Sequence, residues 1–393
     1  MKPMAKALVP SAQTRYVSAG TGETYGVDGA MWRAPDGSHL NLTPGHGLSP
    51  GDIDREENSI WRYASAIRVD RATAITLGEG WTPFLKSQWL GRETWFKLEY
   101  LAPTGSFKDR GTSVLLSYLR SVGIDSILED SSGNAGASMC AYAAAGGLRC
   151  KVLVPAAIPQ GKAVQMVGMG ADVTYVEGTR QDVADAALRL AQDMFYASHN
   201  WQPYFLEGTK TLAFELWEQF GFSVPDDVVV PLGYGSNVLG LWLGFNELLS
   251  CGAIDRLPRI HGVQAENCAA FGTAWAAGTD EWTRFEPRPT VADGIASVRP
   301  VRMKEVMSAV RLSGGSIVTV SEEEIATALK ALMAQGFFVE PTSATAGAAL
   351  TRLQASPEAA LGSKTAAILT GSGLKATQCI ADILGSPNPS APA

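Results

Sequence analysis

The sequence has no basic surplus. Its 32 Lys and Arg residues are outnumbered by 39 Asp and Glu, for a formal net charge of −7. Such a chain has little with which to neutralise a phosphate backbone or an anionic bilayer, which argues against nucleic-acid and membrane-surface partners. An anionic small molecule held by backbone groups is still compatible with that charge. Cysteine is scarce too. The five cysteines stand at 140, 150, 251, 268 and 379, an odd and scattered set that fits neither a disulfide framework nor a metal cluster and suggests a reducing compartment. The sequence also lacks an apolar run of membrane length, a signal-peptide core behind MKPMAKALVPSAQTR, and any fixed-period repeat. The expectation is a cytoplasmic protein.

What is present is ordinary for a globular enzyme, with 46% apolar and 18% charged residues. A length of 393 residues implies two lobes, or one large α/β body with appendages. From about 125 to 385, short β-rich runs alternate with helical patterns. SILED (126–130), CKVLVP (150–155), DVTYV (172–176), VVVP (228–231), HGVQA (261–265) and AAILT (366–370) alternate with segments such as AGASMCAYAAAGG (135–147), DVADAALRLAQDMF (182–195) and VLGLWLGFNELL (238–249). That alternation predicts parallel βαβ units and an α/β class. The first 60 or so residues, rich in Gly, Ser, Asp and Pro, read as an extension folded over the main body. Residues 280–304 read as a long connection, and SPNPSAPA (386–393) as a frayed, flexible tail.

Four segments carry the candidate chemistry. TGSFKDRG (104–111) places Lys108 where a tight turn enters the helical pattern TSVLLSYLRSVG (112–123); alone, a lysine there is most simply a solvated one. SSGNAGAS (131–138) is a strand-to-helix turn of small residues, whose N–H groups can approach an anion where the helix dipole favours negative charge. GYGSN (233–237) repeats the design after VVVP, without GxGxxG spacing or GK[ST], so neither a dinucleotide fingerprint nor a P-loop is supported. LTGSGLK (369–375) puts Thr370 at a strand's carboxyl end, the edge where open α/β sheets bind ligands.

In combination, these segments resemble threonine synthase and its fold-type II pyridoxal 5'-phosphate (PLP) relatives, in order and in spacing. GEGWTPF (78–84), LEGTKTLAFEL (206–216) and VEPTSATAGAAL (339–350) are similar to segments of the same family, so the likeness covers roughly residues 58–380. It implies a two-lobed enzyme, each lobe an open, mostly parallel sheet flanked by helices. The lobes expected are an extension at 1–60, a large lobe from 61–104 and 206–385, and a small lobe at 105–205, closing around the cofactor. It implies Lys108 as the Schiff-base lysine and, once freed by the substrate amine, as general base at Cα. Asn134 would meet the ring hydroxyl, Gly233, Tyr234, Gly235, Ser236 and Asn237 the cofactor phosphate, and Thr370 the ring nitrogen. A neutral hydroxyl there does not keep the ring protonated as a carboxylate would, which favours loss of a β substituent over transamination. The substrate carboxylate is expected at Ser131, Ser132, Gly133, Asn134 and Ala135. A free amino acid as substrate and a homodimer as assembly are expected. YVSAGTGETYGVDGAMWRAPDG (16–37) is similar in layout to the cysteine ribbon that precedes many threonine synthases, but Ser18 and Thr21 stand where ligand cysteines would. No metal is expected, since such a site requires thiolates.

The likeness breaks at one place. The arginine that helps hold the substrate phosphate in threonine synthases falls on Phe205, and the neighbouring Asn-Ser pair falls on His199 and Asn200. A phenyl ring cannot make the bidentate bonds of a guanidinium. The stretch 290–300 is closer to amino-acid dehydratases, while Arg299 and Arg302 are candidate replacements for the arginine. Phe205, with Trp201, is therefore a candidate wall for the substrate's β substituent, against the plainer reading of both as core packing. The leading expectation is a lyase that removes the β hydroxyl of an amino acid to give a keto acid and ammonia. Threonine synthase, a β-replacement synthase and a non-catalytic PLP-binding protein follow in that order.

Overall fold

The structure is a computed structural model that describes residues 13–157, 160–178, 180–356 and 361–385; the tail expected at 386–393 lies outside them. The strands are β1 (Tyr16–Ser18), β2 (Thr24–Tyr25), β3 (Leu40–Leu42), β4 (Phe84–Trp89), β5 (Arg92–Lys97), β6 (Ser126–Glu129), β7 (Arg149–Pro155), β8 (Asp172–Val176), β9 (Phe195–Tyr196), β10 (Asp227–Pro231), β11 (Arg259–Ala265), β12 (Ile317–Val320) and β13 (Thr365–Ile368). The helices are α1 (Lys108–Ser121), α2 (Asn134–Gly146), α3 (Gln160–Gly168), α4 (Arg180–Leu190), α5 (Pro203–Thr209), α6 (Thr211–Gln219), α7 (Ser236–Ser250), α8 (Ala270–Ala276), α9 (Met303–Leu312), α10 (Glu322–Ala334), α11 (Pro341–Ala355) and α12 (Thr377–Leu384).

Two compact units result. The first comprises Met1–Trp81, Ala102–Ser223 and Leu239–Leu257, the second Thr82–Leu101, Val224–Val238 and Pro258–Ala393. The first contains the sheet β8-β7-β6-β9, parallel throughout, and the small antiparallel sheet β2-β1-β3. The second contains β12-β11-β10-β13-β5-β4, parallel except for the antiparallel edge pair β4–β5. Parallel strands need crossovers that cover the sheet faces, and every residue of β10, DVVVP, is buried as a result. Local signals agree with the element ends: Ser321 and Glu324 form a reciprocal capping box on α10. α2 ends on Gly147 at φ 72°.

The α/β class with mostly parallel sheets is as the sequence predicts, and three local details differ. The helical pattern at 182–195 stops at Leu190, because Phe195 and Tyr196 pair in parallel with Ile127 and Leu128 of β6. Apolar periodicity alone does not separate a helix's last turn from a short buried strand. The connection at 280–304 already contains the start of α9 at Met303 and is pinned by Val291 N–H to Glu322 and by Ser297 Oγ to the Gly233 carbonyl. The segments 61–81, 102–104, 206–223 and 239–257, expected with the larger lobe, fall in the first unit. In that unit α5 crosses α1 where both are glycine: a Cβ on Gly208 would lie 2.0 Å from the Arg110 carbonyl oxygen. Only glycine allows helix backbones that close.

Buried charge fixes the same region. Lys210 Nζ lies 2.5 Å from Glu207 and 2.8 Å from Glu247, and Arg68 also binds Glu207. Burial alone would raise the Glu207 carboxyl, but Arg68 and Lys210 hold it down at about 2. In the extension, the Ser18 hydroxyl donates to Asp36 (2.8 Å), lies 3.0 Å from Ser38 Oγ and accepts from the N–H of Thr21 (3.1 Å). Side chains thus close on one another where the ribbon-like layout would hold thiolates. Tyr16 then joins the extension to α1 through Tyr118, hydroxyl to hydroxyl at 2.6 Å, and Tyr118 stacks on Tyr204 at 3.6 Å.

Candidate active site

In the first unit, Gly105 turns the chain at φ 81° and Lys108 becomes the first residue of α1. Its Nζ lies 4.4 Å from the centroid of the Phe107 ring and 5.8 Å from that of Phe205, within reach of both faces. Phe205 is fully buried and belongs to the core around α1 and α2. A Cβ on Gly111 would meet its ring at 2.6 Å, so ring and helix touch closely. His199 also packs against Phe205, centroids 5.6 Å apart, with Nδ1 3.4 Å from Glu129. Trp201 packs instead against Trp32 of the extension, at 5.4 Å.

The asparagine turn joins β6 to α2, so Ser131, Ser132 and Gly133 lead into a helix that starts at Asn134. Gly136 lets that helix approach the turn, since a Cβ there would lie 1.9 Å from the Ser131 carbonyl oxygen. Gly133 is exposed, and a Cβ on it would meet nothing within 4 Å. Ala135 is buried behind it.

In the second unit, β10 ends at Pro231 and α7 starts at Ser236. Between them Gly235 adopts φ 98°, and a Cβ there would lie 2.3 Å from Val306 Cγ2. Tyr234 is half-buried in the same turn. Asn237, only 3% exposed, has neither its amide oxygen nor its amide nitrogen bonded to any partner among the described residues. Thr370 lies just past β13, buried, with Oγ1 3.1 Å from Ser343 Oγ. Ser343 also accepts from the Gly371 N–H at 2.8 Å, so the hydroxyl of Thr370 is held in a fixed frame. Of the candidate replacement cations, exposed Arg299 covers the Trp282 ring at 4.8 Å and buried Arg302 pairs with Glu305 at 3.0 Å.

Two participants escape a reading of the sequence although they stand inside the TGSFKDRG motif. Ser106 Oγ is fully buried and meets no partner among the described residues. Asp109 accepts from Thr104 N–H (2.7 Å), Thr104 Oγ1 (2.6 Å) and Ser138 Oγ (2.7 Å). Nothing in the linear order pairs residue 109 with 138.

Glycine turns leading into helices at the carboxyl ends of parallel strands, with a lysine at the start of a third helix, define an α/β enzyme of the anion-cradling kind. The particular family is clear as well: residues 75–371 match the model of the pyridoxal-phosphate dependent enzymes, and the chain belongs to that family. Its cofactor is pyridoxal 5'-phosphate. The chain is 33% identical to a threonine synthase of Methanocaldococcus jannaschii, over 90% of this chain and 91% of that one. It is 35% identical to a threonine synthase of Methanosarcina acetivorans, over 84% and 83%. Among solved structures it resembles a threonine deaminase of T.th. (TM-score 0.62, 26% identity, 74% of this chain and 92% of that one). In fold it is like maize serine racemase (TM-score 0.66, 22% identity, 85% and 98%). No helix among the described residues is long and apolar enough to cross a membrane. Each unit offers a group that a polar cofactor would suit: Ser106 in the first and Asn237 in the second are buried polar side chains with atoms that meet no partner among the described residues.

Proposed function

We propose that this enzyme eliminates the β hydroxyl of an unphosphorylated β-hydroxy amino acid, releasing a keto acid and ammonia. In this reading Lys108 holds the cofactor aldehyde and Asn134 faces the ring hydroxyl. The N–H groups of Gly233, Tyr234, Gly235, Ser236 and Asn237 hold the phosphate, and Thr370 bonds the ring nitrogen. When bound, the cofactor supplies an electron sink for the charge left at the substrate's Cα. Lys108 Nζ would be the base that takes the α proton. The turn from Ser131 through Ser132, Gly133 and Asn134 to Ala135 receives the substrate carboxylate at the start of α2. The substrate is a free amino acid, and the proposed assembly is a homodimer in the cytoplasm.

The observation that carries this reading is Phe205, a neutral ring buried beside Lys108 and packed on Gly111. A charge-assisted hydrogen bond is worth about 1.5–3 kcal/mol. The missing guanidinium therefore weakens turnover of a phosphorylated substrate by roughly one to two orders of magnitude. The likeness to a threonine deaminase supports the same chemistry. A second reading, threonine synthase acting on O-phosphohomoserine, is favoured by the near full-length likeness to the M. jannaschii enzyme. The measurement is kcat/KM for threonine, serine and bulkier β-hydroxy amino acids against O-phosphohomoserine. The expected outcome is keto-acid release from an unphosphorylated substrate with the higher kcat/KM. A wide margin for O-phosphohomoserine makes the enzyme a threonine synthase with a relocated phosphate site.

A further inference from the structure

One buried carboxylate in the first unit has no part in the chemistry just described. Asp109 follows Lys108 directly on α1 and is fully buried. Its Oδ2 accepts the Thr104 N–H at 2.7 Å and its Oδ1 accepts the Thr104 hydroxyl at 2.6 Å, closing the Thr104–Lys108 turn on itself. Oδ1 also accepts the Ser138 hydroxyl at 2.7 Å. Ser138 stands one helical turn beyond Asn134 on α2, on the same face. Its Oγ is 2.9 Å from Thr112 Oγ1, back on α1 one turn beyond Lys108. Thr104, Asp109, Thr112 and Ser138 are all buried, so this network operates where hydrogen bonds are strong and an unmatched group is costly.

The geometry points to Asp109 as a positioning residue: it locks the helix that starts with the cofactor lysine to the helix that starts with the ring-facing asparagine. This rests on the assignment of Lys108 and Asn134 to the cofactor. The carboxylate suits the task because it accepts each of these three bonds. An amide in its place can still accept the Thr104 N–H, but it must donate to the Thr104 and Ser138 hydroxyls, which reverses both of those bonds and removes the charge that strengthens all three. The turn and α2 are then held together less tightly, and Lys108 Nζ is freer to move relative to Asn134. Displacements of about 1 Å at a reacting group cost on the order of a hundredfold in rate.

The test is Asp109→Asn in the cofactor-loaded enzyme. Expected are a fall in kcat of roughly tenfold to a hundredfold with KM changed much less, and a shift of about one unit in the pH midpoint of the bound cofactor's absorbance. Ser138→Ala, which cuts only the link to α2, should give a smaller change of the same kind, and Ser138→Thr should restore it. If Asp109→Asn lowers thermal stability alone, leaving kcat and the absorbance midpoint at wild-type values, the positioning role is wrong. Should that variant not fold, Ser138→Ala and Thr104→Val decide by the same two readouts. Borohydride reduction and peptide mapping of the wild-type enzyme test the underlying assignment separately, since a phosphopyridoxyl label away from Lys108 overturns that assignment whatever Asp109 does.

Discussion

The two strand-to-helix turns look alike in sequence and are finished differently in three dimensions. The asparagine turn ahead of α2 is braced by its own protein: Gly136 seats it against the Ser131 carbonyl, and Ser138 ties its helix to Asp109. The glycine turn ahead of α7 takes a φ at Gly235 that suits glycine alone and leaves the buried Asn237 amide unmatched among the described residues. A buried polar group without a partner persists only where something offsets its cost, such as a ligand, an ion or a water. The first turn is therefore built to stand alone. The second, on the proposed assignment, is the one that a bound phosphate would complete.

The sharpest way to break this contrast is Gly235→Ala. Its φ of 98° is hostile to any side chain, and the new methyl would lie 2.3 Å from Val306. We expect a loss of about 1–3 kcal/mol in stability together with a large loss of cofactor affinity, measured by thermal unfolding and by cofactor titration. A variant that binds cofactor normally would show that the turn is not the phosphate cradle. Next in size is Asn237→Ala, for which the two measurements should part. Cofactor binding weakens, while the cofactor-free protein keeps its stability, because an unmatched buried amide costs about 1–3 kcal/mol and its removal offsets the lost packing. If stability and affinity fall together, the amide is structural. The mildest change, Gly133→Ala in the braced turn, adds a methyl into open space at an unstrained φ of −106°. Stability should move by no more than about 0.5 kcal/mol, and only substrate KM should rise. An unchanged KM would remove the substrate carboxylate from Ser131–Ala135.

The range of each interaction decides how much of the fold and the site is legible in the sequence. Lys108 at the head of α1, Asn134 at the head of α2 and the glycine turn before α7 are local features, announced by glycine, strand and helix patterns within ten residues. β4 and β5 are not announced, because an antiparallel edge strand such as FLKSQW buries only Trp89 and offers little apolar pattern. The Asp109–Ser138 bond, the Lys210 cluster with Glu247 and Arg68, and the Gly111–Gly208 crossing join residues that periodicity treats as unrelated. Phe205 is marked as a suspect by its position before LEG. Its full burial against a helix glycine, and the packing of Trp201 on Trp32, are tertiary facts that no local pattern carries.

In the extension, a knuckle is closed by its own side chains, and that choice sets its vulnerabilities. A thiolate-and-metal centre is lost to chelators and to oxidants. The Ser18–Asp36–Ser38 cluster answers to neither, and its weak point is acid. Bonds from Ser38 and Ser18 hold the Asp36 carboxyl below its usual range, so its contribution is present above the ordinary carboxylate pKa and fades as pH falls through the lowered one. Acid therefore loosens a segment that Tyr16 joins to the helix starting with Lys108.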